Sequence, residues 1–237
     1  DYSETAHYRD DRVLIHVPPS FDPAAPATVL LFLHGHNSTL SKTVIEGHAL
    51  IRQVNQSRTN TILIAPQMAY DAGDSHPGKL SRRSGAAALL RTAGATFAEY
   101  LDIDPALTAR APIVLSAFSG GFRAAARCLT IGGLKKRVAG VLLLDALYGG
   151  VDDFAEWKTG RGRDAFLVAL YGKGTAENTG ALATALQGAG CPIRSRLPAR
   201  LGGGPVAIIS CRAAHRKIPL LGPPRWPIAE VLRRQSP

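Results

Sequence analysis

Residues 111–129 read Ala-Pro-Ile-Val-Leu-Ser-Ala-Phe-Ser-Gly-Gly-Phe-Arg-Ala-Ala-Ala-Arg-Cys-Leu. Residues 113–117 are apolar enough for a short buried strand, and residues 121–129 favour a helix. Ser119 stands at the joint, with an alanine two positions before it and a glycine two positions after it. Small neighbours allow a tight, strained turn with the helix packed close behind it. The run therefore predicts a buried strand, a sharp turn at the serine and a helix.

Two roles are open to this serine. Any turn between a strand and a helix favours serine, which caps the helix through its hydroxyl. The segment Ala117-Phe-Ser-Gly-Gly121 also resembles the nucleophile elbow, G-x-S-x-G, with alanine in place of the first glycine. In proteins with that elbow, an acid and then a histidine follow the serine along the chain. Six of the seven histidines precede Ser119, so only His215 completes this order.

The composition indicates one globular domain over residues 1–237, since 46% of the residues are hydrophobic. No apolar run approaches the length of a membrane span, so we expect a soluble protein. Without an initial Met or a leader, a cytoplasmic location and export after loss of a signal peptide both stay open. The three cysteines fit no zinc pattern. Pairing of Cys191 with Cys211 is an alternative to the three separate thiols that we expect.

The net charge of +10 is unevenly distributed. Residues 1–118 carry 10 basic and 11 acidic side chains, whereas residues 119–237 carry 18 basic and 7 acidic ones. The excess predicts either an arginine-rich solvated surface or attraction to an anionic substrate. No nucleic-acid-binding motif accompanies it, so we expect no nucleic-acid partner.

Apolar runs alternate with helical patterns along the chain, which predicts an α/β fold with a mostly parallel central sheet flanked by helices. About seven strands are expected, at residues 12–17, 29–34, 61–65, 113–117, 138–144, 165–170 and 205–210. Further helices are expected near residues 42–56, 85–101, 151–158, 176–188 and 227–234. The Arg-, Pro- and Gly-rich stretch 192–204 is expected to be a loop.

Chemically active residues follow four of these strands. The run His34-Gly-His-Asn37 follows one strand, and Ser119, Asp145 and His215 follow three others. The carboxyl ends of parallel strands meet at one edge of a sheet, and ligands bind there. The sequence therefore predicts one site that contains all four segments.

These residues make the chain resemble the α/β-hydrolase superfamily from residue 12 to about residue 234, and especially small bacterial serine hydrolases. The resemblance implies that Ser119 is a nucleophile, that His215 is its general base, and that no metal or organic cofactor takes part. It also implies an oxyanion hole formed by the backbone N–H groups of Gly120 and His36.

The acid departs from the commonest pattern of the superfamily, in which it follows the strand before the histidine. That strand has no acid close to its end, so Asp145, one strand earlier, is the expected acid and Glu177 is the alternative. The connection from Asp145 to the next strand is only about twenty residues, long enough for one helix but not for a cap domain. We therefore expect an open site.

Three further residues are candidates for substrate binding, namely Asn37, Gln67 and Tyr148. His34 and His36 lack a nearby carboxylate and are expected to shape the oxyanion loop rather than to bind a metal. The expected activity is ester hydrolysis, with an amidase or peptidase on the same residues as the second possibility. A non-catalytic binding protein on the same scaffold is the third. The expected substrate is a small molecule or the end of a polymer, and the oligomeric state is not predicted.

Overall fold

The structure is a computed structural model that describes residues 3–74 and 76–235. Its centre is an eight-stranded sheet in the order β1-β3-β2-β4-β5-β6-β8-β7. Strand β1 pairs antiparallel with β3, and all the other strand pairs are parallel. In chain order, the strands β1 to β8 are Val13–His16, Thr28–Leu33, Thr61–Pro66, Ile113–Phe118, Val138–Leu144, Phe166–Tyr171, Ile193–Arg194 and Val206–Ser210.

The expected α/β class is confirmed, with one more strand than expected. The extra strand is β7, which has only two residues and lies inside the stretch 192–204 where a loop was expected. It pairs with the edge of β8. Two residues between polar and proline-rich neighbours carry no periodicity, so only the presence of an adjacent strand makes this segment extended.

Nine α-helices pack around the sheet within the described residues. In chain order, α1 to α9 are Glu4–His7, Leu50–Ser57, Gly85–Leu101, Ala106–Arg110, Phe122–Thr130, Val151–Thr159, Ala176–Gly188, Ile218–Leu221 and Pro227–Gln235. None of them is long and apolar enough to cross a membrane. Helices on both faces explain why the strands are apolar on both sides, because each strand contributes side chains to two cores.

The two cores are formed by alternate residues of the same strands. In β2, Leu31 and Leu33 face the core that contains α3, α5, α6 and α7. Leu30 and Phe32 face the core that contains α2 and α9. Side chains of successive strand residues point to opposite faces, so an unbroken apolar run is required when both faces are covered.

The helix expected at 42–56 is wrong in one respect, because the structure divides it. A π-helix spans Leu40–Gly47 and α2 spans Leu50–Ser57. His48 lies between them with its side chain buried, and Ala49 adopts a left-handed conformation with φ of 48°. A residue in that region ends one helix before the next begins.

Candidate active site

A strained turn carries Ser119. Strand β4 ends at Phe118, one 3₁₀ turn follows, and α5 begins at Phe122. Ser119 has a φ of 51°, in the left-handed region. This conformation costs a non-glycine residue roughly 1–2 kcal/mol and usually persists only where the surrounding structure enforces it. The side chain is half-buried at the carboxyl end of the central strand.

Two glycines make this turn sterically possible. A Cβ atom on Gly121 would collide with the carbonyl oxygens of Leu33 and His34. A Cβ atom on Gly35 would lie 2.7 Å from Ser119 Cβ and 3.2 Å from the backbone nitrogen of Gly120. The loop after β2 is thus in direct contact with the turn after β4, and only glycine permits this approach.

The structure brings Ser119, His215 and Asp145 into one hydrogen-bonded chain. His215 Nδ1 lies 2.7 Å from Asp145 Oδ2, and His215 Nε2 lies 2.9 Å from Ser119 Oγ. A carboxylate only accepts hydrogen bonds, so the Nδ1 atom carries the proton that it donates. In the neutral ring, Nε2 is then unprotonated and accepts the hydrogen bond of the serine hydroxyl.

Asp145 is held in place by two further donors. Its Oδ1 atom accepts hydrogen bonds from the Gly172 backbone N–H at 2.8 Å and from the Thr175 hydroxyl at 2.5 Å. The residue is only 3% exposed. Burial raises the pKa of this carboxyl group, but the hydrogen bonds from His215, Thr175 and Gly172 outweigh burial and hold the pKa below its usual value. The group is therefore a carboxylate at neutral pH.

Two aromatic rings position the imidazole of His215. The ring stacks on Phe118 with centroids 4.8 Å apart, and Tyr148 meets it edge-on at 6.0 Å. Both aromatic residues restrict rotation of the imidazole about its hydrogen bond to Asp145. The His215 side chain is 36% exposed and Tyr148 is 43% exposed, so the group of residues is open to solvent.

Behind Phe118 lies a buried histidine that no sequence pattern indicated. The His48 ring meets Phe118 at 4.6 Å between centroids, and its Nδ1 atom is buried with no hydrogen-bond partner among the described residues. Burial is the main cause that lowers the pKa of His48 to about 4. The ring is therefore neutral and packs as an aromatic side chain.

His34 and Gln67 fix the loop that follows β2. His34 Nε2 accepts hydrogen bonds from the Met68 backbone N–H at 2.8 Å and from the Gln67 amide at 2.9 Å. The Gln67 amide also donates to the Ser38 carbonyl, while its oxygen accepts from the Leu40 N–H. Burial lowers the pKa of His34, so the ring stays neutral. Gln67 is 6% exposed and its side chain holds this loop through these hydrogen bonds, while its contact with substrate stays a prediction.

The remaining predicted residues are His36, Asn37 and Glu177. His36 and Asn37 are exposed in the loop after β2. The backbone N–H of Asn37 donates to the Ala72 carbonyl. Glu177 is exposed in the first turn of α7, and His215 Nδ1 forms its hydrogen bond with Asp145 instead.

Sequence reasoning missed Thr175 as a partner of Asp145 and Phe118 as a partner of His215. Thr175 lies in the segment after β6 where the commonest pattern of the resembling superfamily carries its acid. In this chain the position holds a donor for the acid of the neighbouring strand. The absence of a carboxylate at the end of β6 was the available signal, since it implies that another side chain occupies that position.

The structure also shows the state of the three cysteines and the arrangement of side chains that could bind a metal. Cys128, Cys191 and Cys211 are free, in agreement with the expectation of three separate thiols. Across residues 3–74 and 76–235, no three His, Cys, Asp or Glu side chains gather closely enough to hold a metal ion.

No protein-family model matches the chain, and no curated protein matches its sequence. Solved structures do match. An S-formylglutathione hydrolase from Agrobacterium tumefaciens aligns over 94% of this chain and 90% of its own, with a TM-score of 0.57 and 12% identity. An IroE-like serine hydrolase from Shewanella oneidensis aligns over 93% and 74%, with a TM-score of 0.54 and 15% identity.

An uncharacterised protein from Bacillus cereus ATCC 10987 aligns over 82% of this chain, with a TM-score of 0.49 and 13% identity. This chain spans 56% of that protein's length. At such low identities the likeness to the Agrobacterium and Shewanella structures is a likeness of fold. Their alignments, together with the parallel sheet and the strained turn after β4, lead to one conclusion: the chain has the α/β-hydrolase fold.

Proposed function

We propose that this protein is a serine hydrolase that cleaves an ester through Ser119, His215 and Asp145. One observation carries the proposal: the continuous hydrogen-bonded chain from Asp145 through His215 to a serine in a left-handed turn. A serine hydroxyl is a weak nucleophile unless an adjacent base accepts its proton, and this arrangement supplies that base. The fold shared with two hydrolases supports the same reaction class.

In the first half of the proposed reaction, Ser119 Oγ attacks the carbonyl carbon of the ester while His215 Nε2 takes the hydroxyl proton. The Asp145 carboxylate stabilises the imidazolium and holds its orientation. The carbonyl π bond opens to give a tetrahedral oxyanion. Collapse of this intermediate breaks the bond to the leaving oxygen, which takes the proton from His215, and leaves an acyl-enzyme.

In the second half, water gives a proton to His215 and attacks the acyl-enzyme. Collapse of the resulting tetrahedral intermediate breaks its bond to Ser119 Oγ, which takes the proton from His215, and releases a carboxylic acid. We assign the oxyanion hole to the backbone N–H groups of Gly120 and His36. The close contact between Gly35 and the turn at Ser119 supports this assignment, because it brings the two loops together. Hydrogen bonds from two fixed N–H groups stabilise the charge that develops on the oxygen.

The structure around the triad favours small or terminal substrates. The connection between β5 and β6 contains only helix α6, so no cap covers His215 from that side. Tyr148 is the exposed aromatic wall next to the histidine. Three exposed cations lie near His215 in sequence, namely Arg212, Arg216 and Lys217. They add a preference for anionic substrates.

A fluorophosphonate probe tests the proposal directly. We expect a single covalent label at Ser119, lost in Ser119→Ala, together with turnover of short p-nitrophenyl esters that falls about 10⁶-fold in the same variant. Ser116→Ala is the matched control, because Ser116 is fully buried in β4. Faster cleavage of p-nitroanilides than of esters would make the protein an amidase. A folded protein without label or turnover would be a binding protein.

A further inference from the structure

A cavity lies at the edge of the sheet opposite to Ser119 and His215, where β6 and β8 begin. Its volume is about 740 Å³, which is within the range of small-molecule sites. The walls come from the end of α6, the segment before β6, the segment around β7 and the glycine-rich loop before β8. Its lining residues include Lys158, Arg163, Cys191, Arg194, Arg200 and the glycines 202–204.

The walls of this cavity are strongly positive. Four of the lining side chains are cationic and none is a carboxylate. Within residues 3–74 and 76–235, the guanidinium groups of Arg163, Arg194 and Arg200 form no ion pair with an acid. A concave surface with one sign of charge concentrates the potential and attracts ligands of the opposite sign. The cavity is therefore suited to an anion.

A buried lysine adds a fixed charge to this cavity. Lys158 is only 2% exposed, and its Nζ donates to the backbone carbonyls of Gly162 at 3.2 Å and Arg163 at 2.8 Å. An ammonium group has three N–H donors, so these two bonds leave one donor for a ligand. Burial lowers the pKa of Lys158, and an anion beside it would oppose that effect.

The glycine loop leaves the backbone accessible to a ligand. Gly203 and Gly204 have φ values of 78° and 73°. A Cβ atom on Gly202 or Gly203 would meet nothing within 4 Å, so open space lies beside this part of the loop. A Cβ atom on Gly204 would collide with the Arg163 carbonyl oxygen, so this glycine lets the loop close on the segment before β6.

We infer that this cavity binds a small molecule that carries a diphosphate group. A phosphate monoester carries a charge of about −1.5 to −2 near neutral pH, and a second, bridging phosphate adds about one more negative charge, so a diphosphate would offset most of the four positive charges of the walls. Guanidinium groups match phosphate oxygens in bidentate geometry, and three of the four cations are arginines. Strand β8, which has five residues, runs from this cavity to the edge of the sheet that carries His215. At about 3.3 Å per residue, the strand separates the two sites by roughly 16 Å.

Cys191 provides a readout that is independent of catalysis. It is a half-buried free thiol that lines the cavity, whereas Cys128 and Cys211 are buried elsewhere. We expect inorganic pyrophosphate, at constant ionic strength, to slow alkylation of Cys191 by iodoacetamide at least several-fold. It should also raise the unfolding midpoint. Ser119→Ala should show the same protection, so the result does not depend on the proposed hydrolase activity.

Two neighbouring arginines give a matched pair of variants. Arg194 lines the cavity, while Arg196, two residues later and also exposed, is not among the residues of its wall. Arg194→Gln should weaken pyrophosphate binding about ten-fold, the usual scale for loss of one charge-assisted contact. Arg196→Gln should leave it nearly unchanged. Equal weakening in both variants, or equal protection of Cys191 by chloride at the same ionic strength, would overturn the assignment.

Discussion

Among the described residues, charged side chains are paired at one edge of the sheet and unpaired at the other. At the carboxyl edge, the Asp145 carboxylate accepts hydrogen bonds from His215, Thr175 and Gly172, and it is buried only because these partners are present. At the amino edge, Arg194 and Arg200 face a cavity without any carboxylate. A buried charge such as the Asp145 carboxylate is stable only when it is paired. The exposed arginines at the amino edge can remain unpaired in water, and the proposed anionic ligand would supply the missing negative charge.

The first prediction removes the negative charge of Asp145 at the carboxyl edge and tests whether this charge is needed for the reaction. Asp145→Asn should lower kcat about 10⁴-fold, by analogy with other serine triads, because an amide does not hold the reactive tautomer of His215. Steady-state kinetics on a p-nitrophenyl ester measure the effect. Glu177→Gln is the control and should retain full activity, since its side chain is exposed on α7. The opposite pattern would show that the acid is misassigned.

The second concerns the neutral histidine behind the carboxyl edge. The pKa of His48 is lowered by burial to about 4, against 6.5 for the free side chain, so the unfolded chain binds a proton that the folded protein excludes. The free energy of unfolding should therefore fall as the pH drops from 6.5 to 4. One histidine contributes about 3 kcal/mol over that window.

His48→Phe should remove this part of the acid sensitivity, because phenylalanine fills the same aromatic position without titrating. Urea unfolding at several pH values between 7 and 4 measures it. His34 titrates with the same sign, since its pKa is also lowered, so some pH dependence should remain in the variant. An unchanged slope in His48→Phe would show that the ring is protonated in the folded protein.

The third tests whether the partner of the acid matters for the reaction. Thr175→Val removes one of three donors to Asp145 and should lower kcat about ten-fold with little change in KM, since hydrogen bonds to charged groups contribute about 1.5–3 kcal/mol. Thr175→Ser should restore the rate. Thr179→Val is the control, because the Thr179 hydroxyl is buried in α7, the helix that directly follows Thr175, and has no hydrogen-bond partner among the described residues. If both valine variants lose activity equally, the effect is one of packing.

The smallest expected effect concerns the cations beside His215. Anionic short esters should react a few-fold faster than matched cationic ones at low salt, as judged by kcat/KM. At ordinary ionic strength, dissolved salt limits the range of interaction between exposed charges to about 8–10 Å. The preference for anionic esters should therefore shrink as the salt concentration rises. Arg216→Gln should reduce it, whereas Arg194→Gln, on the other edge, should not. A preference that is independent of salt would assign the basic residues to solvation alone.

The comparison also shows which parts of the fold were predictable. Seven strands and the long helix α3 could be predicted from hydrophobic runs and from the turn-forming residues between them, because local patterns specify both kinds of element. The π-helix before His48 and the two-residue strand β7 were not predictable. The first depends on a histidine that turns into the core, and the second depends on the open edge of β8.

For the candidate site, the order of residues along the chain was sufficient to select Ser119 and His215, since only one histidine follows the serine. The alternation of strands and helices further placed their strand ends at one edge. It left the acid open, because Asp145 and Glu177 both lie beyond the carboxyl end of a strand.

Which of the two acids contacts His215 depends on the tertiary structure. Adjacent strands β5 and β6 bring Asp145 next to Gly172 and Thr175, whose hydrogen bonds make a buried carboxylate stable there. Likewise, sequence counted the excess of cations in the second half, but only folding separated Arg194 from Arg216 across the sheet. Local patterns determine elements and their order, whereas pairing of charges depends on distances between residues that are far apart in the chain.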